Sequence, residues 1–153
     1  MTVVLERVTG AEVKVDGEVR GRCGKGLLLF VGVFSGDGRE DAELLAKKIA
    51  ALRIFSDSDG KMNLSAKDVG GSALAIPNFT IAASYRKGNR PDFMNAAPPE
   101  EAKELFDLFA DLLGGEIPTE RGVFGADMKV ASEADGPVTI CLESGVLRGK
   151  RRS

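Results

Sequence analysis

Leu27-Leu28-Leu29-Phe30-Val31-Gly32-Val33 is a short run apolar at nearly every position, introduced by Gly24-Lys25-Gly26. A strand with one wetted face alternates polar and apolar residues, so a run apolar on both faces belongs at the centre of a sheet. Strands upstream supply its neighbours. Val3, Leu5 and Val8 lead to a turn at Gly10, and Val13-Lys14-Val15 alternates into Asp16-Gly17, a strong hairpin signal. Glu18 to Cys23 is the returning strand. Downstream, from Arg39 to about Leu52, Ala42, Leu45, Ala46 and Ile49 fall at helical spacing with Glu40, Glu43, Lys47 and Lys48 outside.

Further along, Arg53-Ile54-Phe55 extends and Ser56-Asp57-Ser58-Asp59-Gly60 turns. The turn has an Asp-x-Asp-Gly echo of a calcium loop but lacks the other ligands and the distal glutamate. Ala73 to Ile76 and Phe79 to Ala83 read as strand around a break at Pro77, which as a missing donor implies an edge, a strand start or a bulge. A polar loop, Ser84 to Ala97, precedes a second helix opened by Pro98-Pro99-Glu100-Glu101. Ala102, Leu105, Phe106, Phe109 and Leu112-Leu113 give that helix its apolar face, and Gly114-Gly115 stops it. Strands at about Asp127 to Ala131 and Val138 to Leu142 close the chain. The order predicts an α+β domain: two helices covering a curved, barrel-like, mainly antiparallel sheet. Its wide unpaired face predicts a homodimer.

At 153 residues, 43% hydrophobic and 29% charged, the chain has the size and composition of one soluble domain. No run approaches a membrane span, and the acid and base of Leu5-Glu6-Arg7 come too early for a signal peptide, so a cytoplasmic location is expected. The decisive absence is histidine. Serine–histidine hydrolases, cysteine–histidine proteases and histidine-ligated metal enzymes are excluded on inventory, and no metal or other cofactor is expected. Cys23 and Cys141 read as reduced residues packed as small hydrophobes. Any chemistry must come from backbone amides, hydroxyls or the substrate. The net charge of −2 is unevenly spread: Arg86, Lys87 and Arg90 gather in one loop, and Arg148, Lys150, Arg151 and Arg152 crowd the end. Both groups suit a phosphate backbone, and each reads equally as a solvated loop or tail.

Two stretches remain, Pro77-Asn78-Phe79-Thr80-Ile81 and Asp135-Gly136-Pro137-Val138-Thr139. Taken alone, a threonine is a strand former and Gly-Pro a strand entry. They stand in order with Glu6-Arg7-Val8-Thr9, Gly26-Leu27-Leu28, Val31-Gly32-Val33, Arg53-Ile54-Phe55-Ser56-Asp57, Gly60-Lys61-Met62-Asn63-Leu64, Arg90-Pro91-x-Phe93 and Phe124-Gly125-Ala126-Asp127-Met128. In that order the blocks resemble the D-aminoacyl-tRNA deacylase family over nearly the whole chain, with residues 1–147 as the domain and 148–153 as a basic tail.

The resemblance implies a homodimer that hydrolyses the ester between a D-amino acid, or glycine mischarged on tRNA-Ala, and the 3′-terminal adenosine of tRNA. In that family the Gly-Pro step is usually cis and inserted into the partner's pocket. Gly136 and Pro137 would then grip the substrate ammonium with carbonyls and exclude an L side chain. Backbone amides of Phe79 and Thr80 would stabilise the oxyanion, with the adenosine 2′-hydroxyl assisting water. Thr80 would position rather than attack, since nothing would activate it. Arg7 would brace the Gly-Pro loop, Phe124 and Met128 shape the adenosine pocket, and Ala102 line the amino-acid side.

Departures fall on the site itself. Pro77-Asn78 stands where the family usually has Ser-Gln, and Ala134 where it usually has Asn, so hydrogen bonds at the pocket floor must be rearranged. Proline at the first position is similar to an animal paralogue with Pro-Gln there, whose Gly-Pro is trans and which clears L-alanine from the wrong tRNA. The expectation is an active deacylase with altered or relaxed selectivity. An L-amino-acid editor and a decayed tRNA-end-binding dimer are the alternatives.

Overall fold

The chain, described here by a computed structural model over residues 1–149, is organised around β3 (Gly26–Gly32). Leu27, Leu29 and Val31 project to one side of it, into a core with Val3, Leu5, Leu45, Ile49, Phe106, Phe109 and Leu113. Leu28 projects to the other, with Val8, Val13, Leu74 and Ile76. Each side chain of the run is therefore taken up by one of two apolar clusters, as the alternation of a strand dictates.

β1 (Thr2–Val15) lies antiparallel on one side of β3, and β6 (Ser72–Pro77) parallel on the other. A parallel neighbour needs a long crossover. It is supplied by α1 (Arg39–Ala51) and a small hairpin of β4 (Phe55–Ser56) and β5 (Met62–Leu64). β2 (Glu18–Cys23) and β7 (Thr119–Arg121) complete the order β2-β1-β3-β6-β7, with β8 (Lys129–Glu143) antiparallel to β1. The sheet curls until its ends nearly meet. Arg22 N–H of β2 donates to the Glu120 carboxylate of β7 at 3.2 Å, and a Cβ on Gly21 would stand 3.1 Å from the Arg121 carbonyl oxygen. α1 and α2 (Pro99–Gly114) cover one face. The predicted α+β architecture stands, with a mixed sheet and with a third, one-turn helix, α3 (Ser144–Leu147), that four residues are too few to announce by periodicity.

Other local expectations change. β1 runs through Gly10 without a turn, because β8 pairs with it from end to end, and irregularities of register near Val8 absorb the strain of serving several partners. The two closing strands are the ends of one strand, β8. Phe79–Ala82 is a 3-10 turn rather than strand. Pro77 ends β6 in a buried position. Asn78 N–H reaches Val31 of β3 at 2.8 Å, so the N–H that Pro77 lacks would face β7, whose ladder has ended with Arg121 opposite Ala75. Cys23 is buried as expected, and burial pushes its thiol pKa up. Cys141 is exposed, on the side of β8 away from the buried Leu142. The Asp16-Gly17 turn holds, with φ of 50° and 79°, as a two-residue hairpin requires.

At the C-terminal end Arg148 is not free. It pairs with the buried Asp41 carboxylate and with Glu40 at 3.7 Å, at the start of α1. Lys150, Arg151 and Arg152 of the predicted tail lie outside the described residues.

Candidate active site

Where β6 ends, the chain folds into a small exposed knuckle. Ile81 N–H reaches back to the Asn78 carbonyl at 3.4 Å and Ala83 N–H to that of Thr80 at 3.1 Å. Ile81 seats the knuckle on β3: a Cβ on Gly32 would come within 2.8 Å of the Ile81 side chain, so the glycine makes the seat. The Thr80 hydroxyl donates to the Asn78 side-chain oxygen at 2.5 Å. An amide oxygen is no base, so this contact holds the hydroxyl without activating it. Phe79 is 57% exposed, and its ring is steadied edge-on by Phe93 with centroids 5.0 Å apart. Behind the knuckle, a Cβ on Gly122 would meet Met128 Sδ at 2.8 Å, Ile76 at 3.2 Å and Pro77 at 3.4 Å, which places Met128 beside the buried proline. Pro77, Asn78, Phe79, Thr80 and Met128 are thus gathered in one region. The first N–H groups of a helical turn have no acceptor within it, so those of Phe79 and Thr80 are the donors that this knuckle can present.

The second stretch is a bulge. Glu6 is opposite Thr139 and Val8 opposite Ala134, so residues 135–138 all stand against Arg7 alone. Their excess length is thrown outward, with Gly136 and Pro137 exposed. The Gly136–Pro137 peptide is cis, and Gly136 has φ of 129°. Arg7 pins the bulge from below. Its Nε donates to the Asp135 carbonyl at 3.1 Å and pairs with the Asp135 carboxylate at 3.3 Å, while Nη1 donates to the Ile54 carbonyl at 2.7 Å. The guanidinium therefore ties β8 to the segment ahead of β4. A lysine has the charge but not the planar fork that reaches two carbonyls at once. Arg7→Lys is expected to lower stability by about 1–3 kcal/mol, the cost of a buried acceptor losing its donor. Thermal unfolding reads the loss. An unchanged melting temperature would show that the fork carries nothing.

Ala102 is buried on the core face of α2, and Phe124 packs half-buried against the same core. Among the described residues no ring contact joins Phe124 to the exposed Phe79, whose aromatic partner is Phe93. The two exposed stretches are themselves apart in one chain. Arg7 is level with Leu27 of β3, and Pro77 with Val31. That is four residues along the sheet at about 3.3 Å each, and β8 to β6 is three strand spacings of about 4.8 Å. Three participants were not predicted: Phe93, Asp135 and the Ile54 carbonyl. Phe93 stood in a motif without a role, whereas a carbonyl partner leaves no mark on side-chain chemistry.

Similarity to known proteins agrees with this geometry. The family model described as D-Tyr-tRNA(Tyr) deacylase matches residues 4–143. The D-aminoacyl-tRNA deacylase of Thermomicrobium roseum is 56% identical over 150 residues, spanning 97% of each chain. That of Persephonella marina is 52% identical over 147 residues, spanning 96% of this chain and all, 100%, of the other. Among solved structures, the c-Myc DNA Unwinding Element Binding Protein superposes with a TM-score of 0.88 at 37% identity, over 94% of this chain and 98% of that one. A probable eukaryotic D-amino acid tRNA deacylase superposes with a TM-score of 0.76 over 94% and 100% of the two chains, and at 17% identity it speaks for the fold alone.

Proposed function

The chain belongs to the D-Tyr-tRNA(Tyr) deacylase family and hydrolyses the ester of D-aminoacyl-tRNA, and we propose that it does so in a site shared between two copies. Proofreading of this kind returns tRNA to translation. No helix among the described residues is long and apolar enough to cross a membrane, and the proposed location is the cytoplasm, where the substrate is made.

In the proposed site the adenosine of the tRNA 3′ end lies against Phe79, in a pocket shaped by Pro77, Asn78, Phe124 and Met128, with Ala102 toward the amino-acid side. Water adds to the ester carbonyl carbon, and the developing oxyanion takes hydrogen bonds from the Phe79 and Thr80 amides, a contribution of a few kcal/mol. The intermediate collapses with cleavage of the bond to the ribose oxygen, which leaves with a proton. Among the described residues no side-chain base is placed at the knuckle, where Thr80 is held by an amide. In this reading the ribose 2′-hydroxyl orients the water, as the family resemblance implies. The wall that judges chirality is Gly136 and Pro137 of the second copy. Their distance from the same chain's Phe79, and their exposure over the Arg7 clamp, support supply from a partner. A wall of backbone rejects an L side chain by exclusion and tolerates any D side chain. Glycine, with no side chain to reject, passes the same wall, which supports action on glycyl-tRNA-Ala.

The observation that carries the reading is the pairing of an exposed Phe79–Thr80 knuckle with an exposed, clamped Gly136 bulge. The test is single-turnover hydrolysis of matched D-Tyr-, L-Tyr-, Gly- and L-Ala-charged tRNAs. Fast release of D-Tyr and Gly with both L-esters spared is expected. Release of L-Ala would overturn the chiral filter in favour of L-amino-acid editing, and no release from any ester would leave a tRNA-end-binding protein.

A further inference from the structure

Beside Phe79 the chain builds a second feature that the reaction does not use. Ser84 and Asp92 exchange two backbone hydrogen bonds, at 2.8 and 2.9 Å, and Phe93 follows at once with its ring against Phe79. Between these clamps runs Tyr85-Arg86-Lys87-Gly88-Asn89-Arg90-Pro91, turned at Gly88 with φ of 66°. Tyr85 is 82% exposed. Among the described residues no hydrogen bond, ion pair or ring contact engages the side chain of Tyr85, Arg86, Lys87 or Arg90. Elsewhere Arg7, Arg22, Arg39, Arg121 and Arg148 are in ion pairs and Arg53 is hydrogen-bonded to Asn63, which leaves Arg20, on β2, as the other described arginine without a partner. The loop holds no acid, and the carboxylate next to it, Asp92, accepts the Met94 N–H at 3.2 Å. An aromatic face and three unspent cations are therefore fixed at the rim of the site, on a chain whose net charge is −2.

We infer that the Tyr85–Pro91 loop is the docking site for the single-stranded 3′ end of the tRNA. Tyr85 stacks on a base preceding the terminal adenosine, and Arg86, Lys87 and Arg90 engage the adjoining phosphates. The inference rests on the deacylase reading, because it takes the adenosine to lie at Phe79. With that end fixed, the nucleotides before it must leave across the rim. The loop tip lies four residues beyond each clamp, a reach of up to about 14 Å. Stacking with backbone neutralisation is how proteins hold single strands without reading sequence, as a deacylase serving many tRNAs requires.

The test measures binding of uncharged tRNA to the full chain across a salt series, by fluorescence anisotropy, for Tyr85→Ala, Tyr85→Phe and the triple variant Arg86→Ala, Lys87→Ala, Arg90→Ala. Tyr85→Ala should weaken binding about 10-fold, with Tyr85→Phe close to the parent. The triple variant should lower the slope of log affinity against log salt by about 2, at roughly 0.7 per phosphate contact. The rate of D-Tyr-tRNA hydrolysis at saturating enzyme should not change in any of them. Affinity and salt slope equal to the parent's, in variants with the parent's melting temperature, would overturn the inference while the deacylase reading stood. A parent protein that hydrolyses no aminoacyl-tRNA would instead sink that reading, and the binding series would still decide the loop.

Discussion

Gly136→Ala is expected to cut the single-turnover rate on D-Tyr-tRNA by at least about two orders of magnitude while leaving the protein folded. An added Cβ would lie 3.0 Å from Arg7 Nη2, from Val138 Cγ2 and from the Val138 nitrogen, at a φ of 129° that L side chains rarely adopt. The bulge is exposed and the contacts are tight rather than impossible, so the structural cost is local, of the order of 1–3 kcal/mol for strained backbone. Catalysis is less forgiving, because a displacement near 1 Å of a positioning element costs about 100-fold. The collision also has a direction: it pushes on the guanidinium that holds Asp135 and Ile54 together. Thermal unfolding beside the kinetics separates the two effects. A parental rate with intact selectivity would remove Gly136 from the site.

The same variant tests whether the site is shared. Neither Gly136→Ala nor Phe79→Ala alone should be active. A mixed dimer of the two has one site with the first chain's Phe79 and the second chain's Gly136, both intact. Co-expressed variants should then recover activity well above either parent, and no recovery would place both halves in a single chain.

How much of this was legible in the sequence depended on whether one element could be read without its neighbours. The run Leu27 to Val33 declared a central strand because two separate clusters consume its two faces. α1 and α2 declared themselves by their apolar stripes, and Asp16-Gly17 by the backbone its turn demands. β8 did not, since its continuity across Gly136-Pro137 comes from pairing with a β1 long enough to bridge the bulge. Nor did the 3-10 turn at Phe79, whose β-favouring residues are overruled by the seat of Ile81 on Gly32. The site followed the same rule. Phe79, Thr80, Gly136 and Pro137 are ordinary as residue types and were singled out only by the order of the blocks they stand in, and the clamp under the Gly136 bulge is made of an arginine and two carbonyls brought together from distant segments.

Gly26→Ala should have the largest effect on stability of any single methyl added to the chain. Its Cβ would stand 1.7 Å from the Ser72 carbonyl oxygen, 2.7 Å from its nitrogen and 2.8 Å from its carbonyl carbon. All three are backbone atoms, so no rotamer can relieve the clash. Ser72 cannot retreat either, because its N–H is bonded to Lys25, and its neighbours Gly71 and Ala73 are bonded to Ala66 and Pro118. Gly26 and Ser72 open the parallel register of β3 with β6, so separating them unzips the ladder that ends at Pro77 and carries the Phe79 knuckle. A loss above about 4 kcal/mol is expected, a large part of the 5–15 kcal/mol by which domains are typically stable. Gly32→Ala, at the other end of β3, meets mainly the Ile81 side chain at 2.8 Å. Side chains can yield, so about 1–3 kcal/mol is expected there, with the damage showing in activity as the knuckle shifts. Urea unfolding of the two variants ranks them directly. A Gly26→Ala protein as stable as Gly32→Ala would mean that β3 and β6 do not approach this closely, and that the glycine before the central strand is there only to turn the chain.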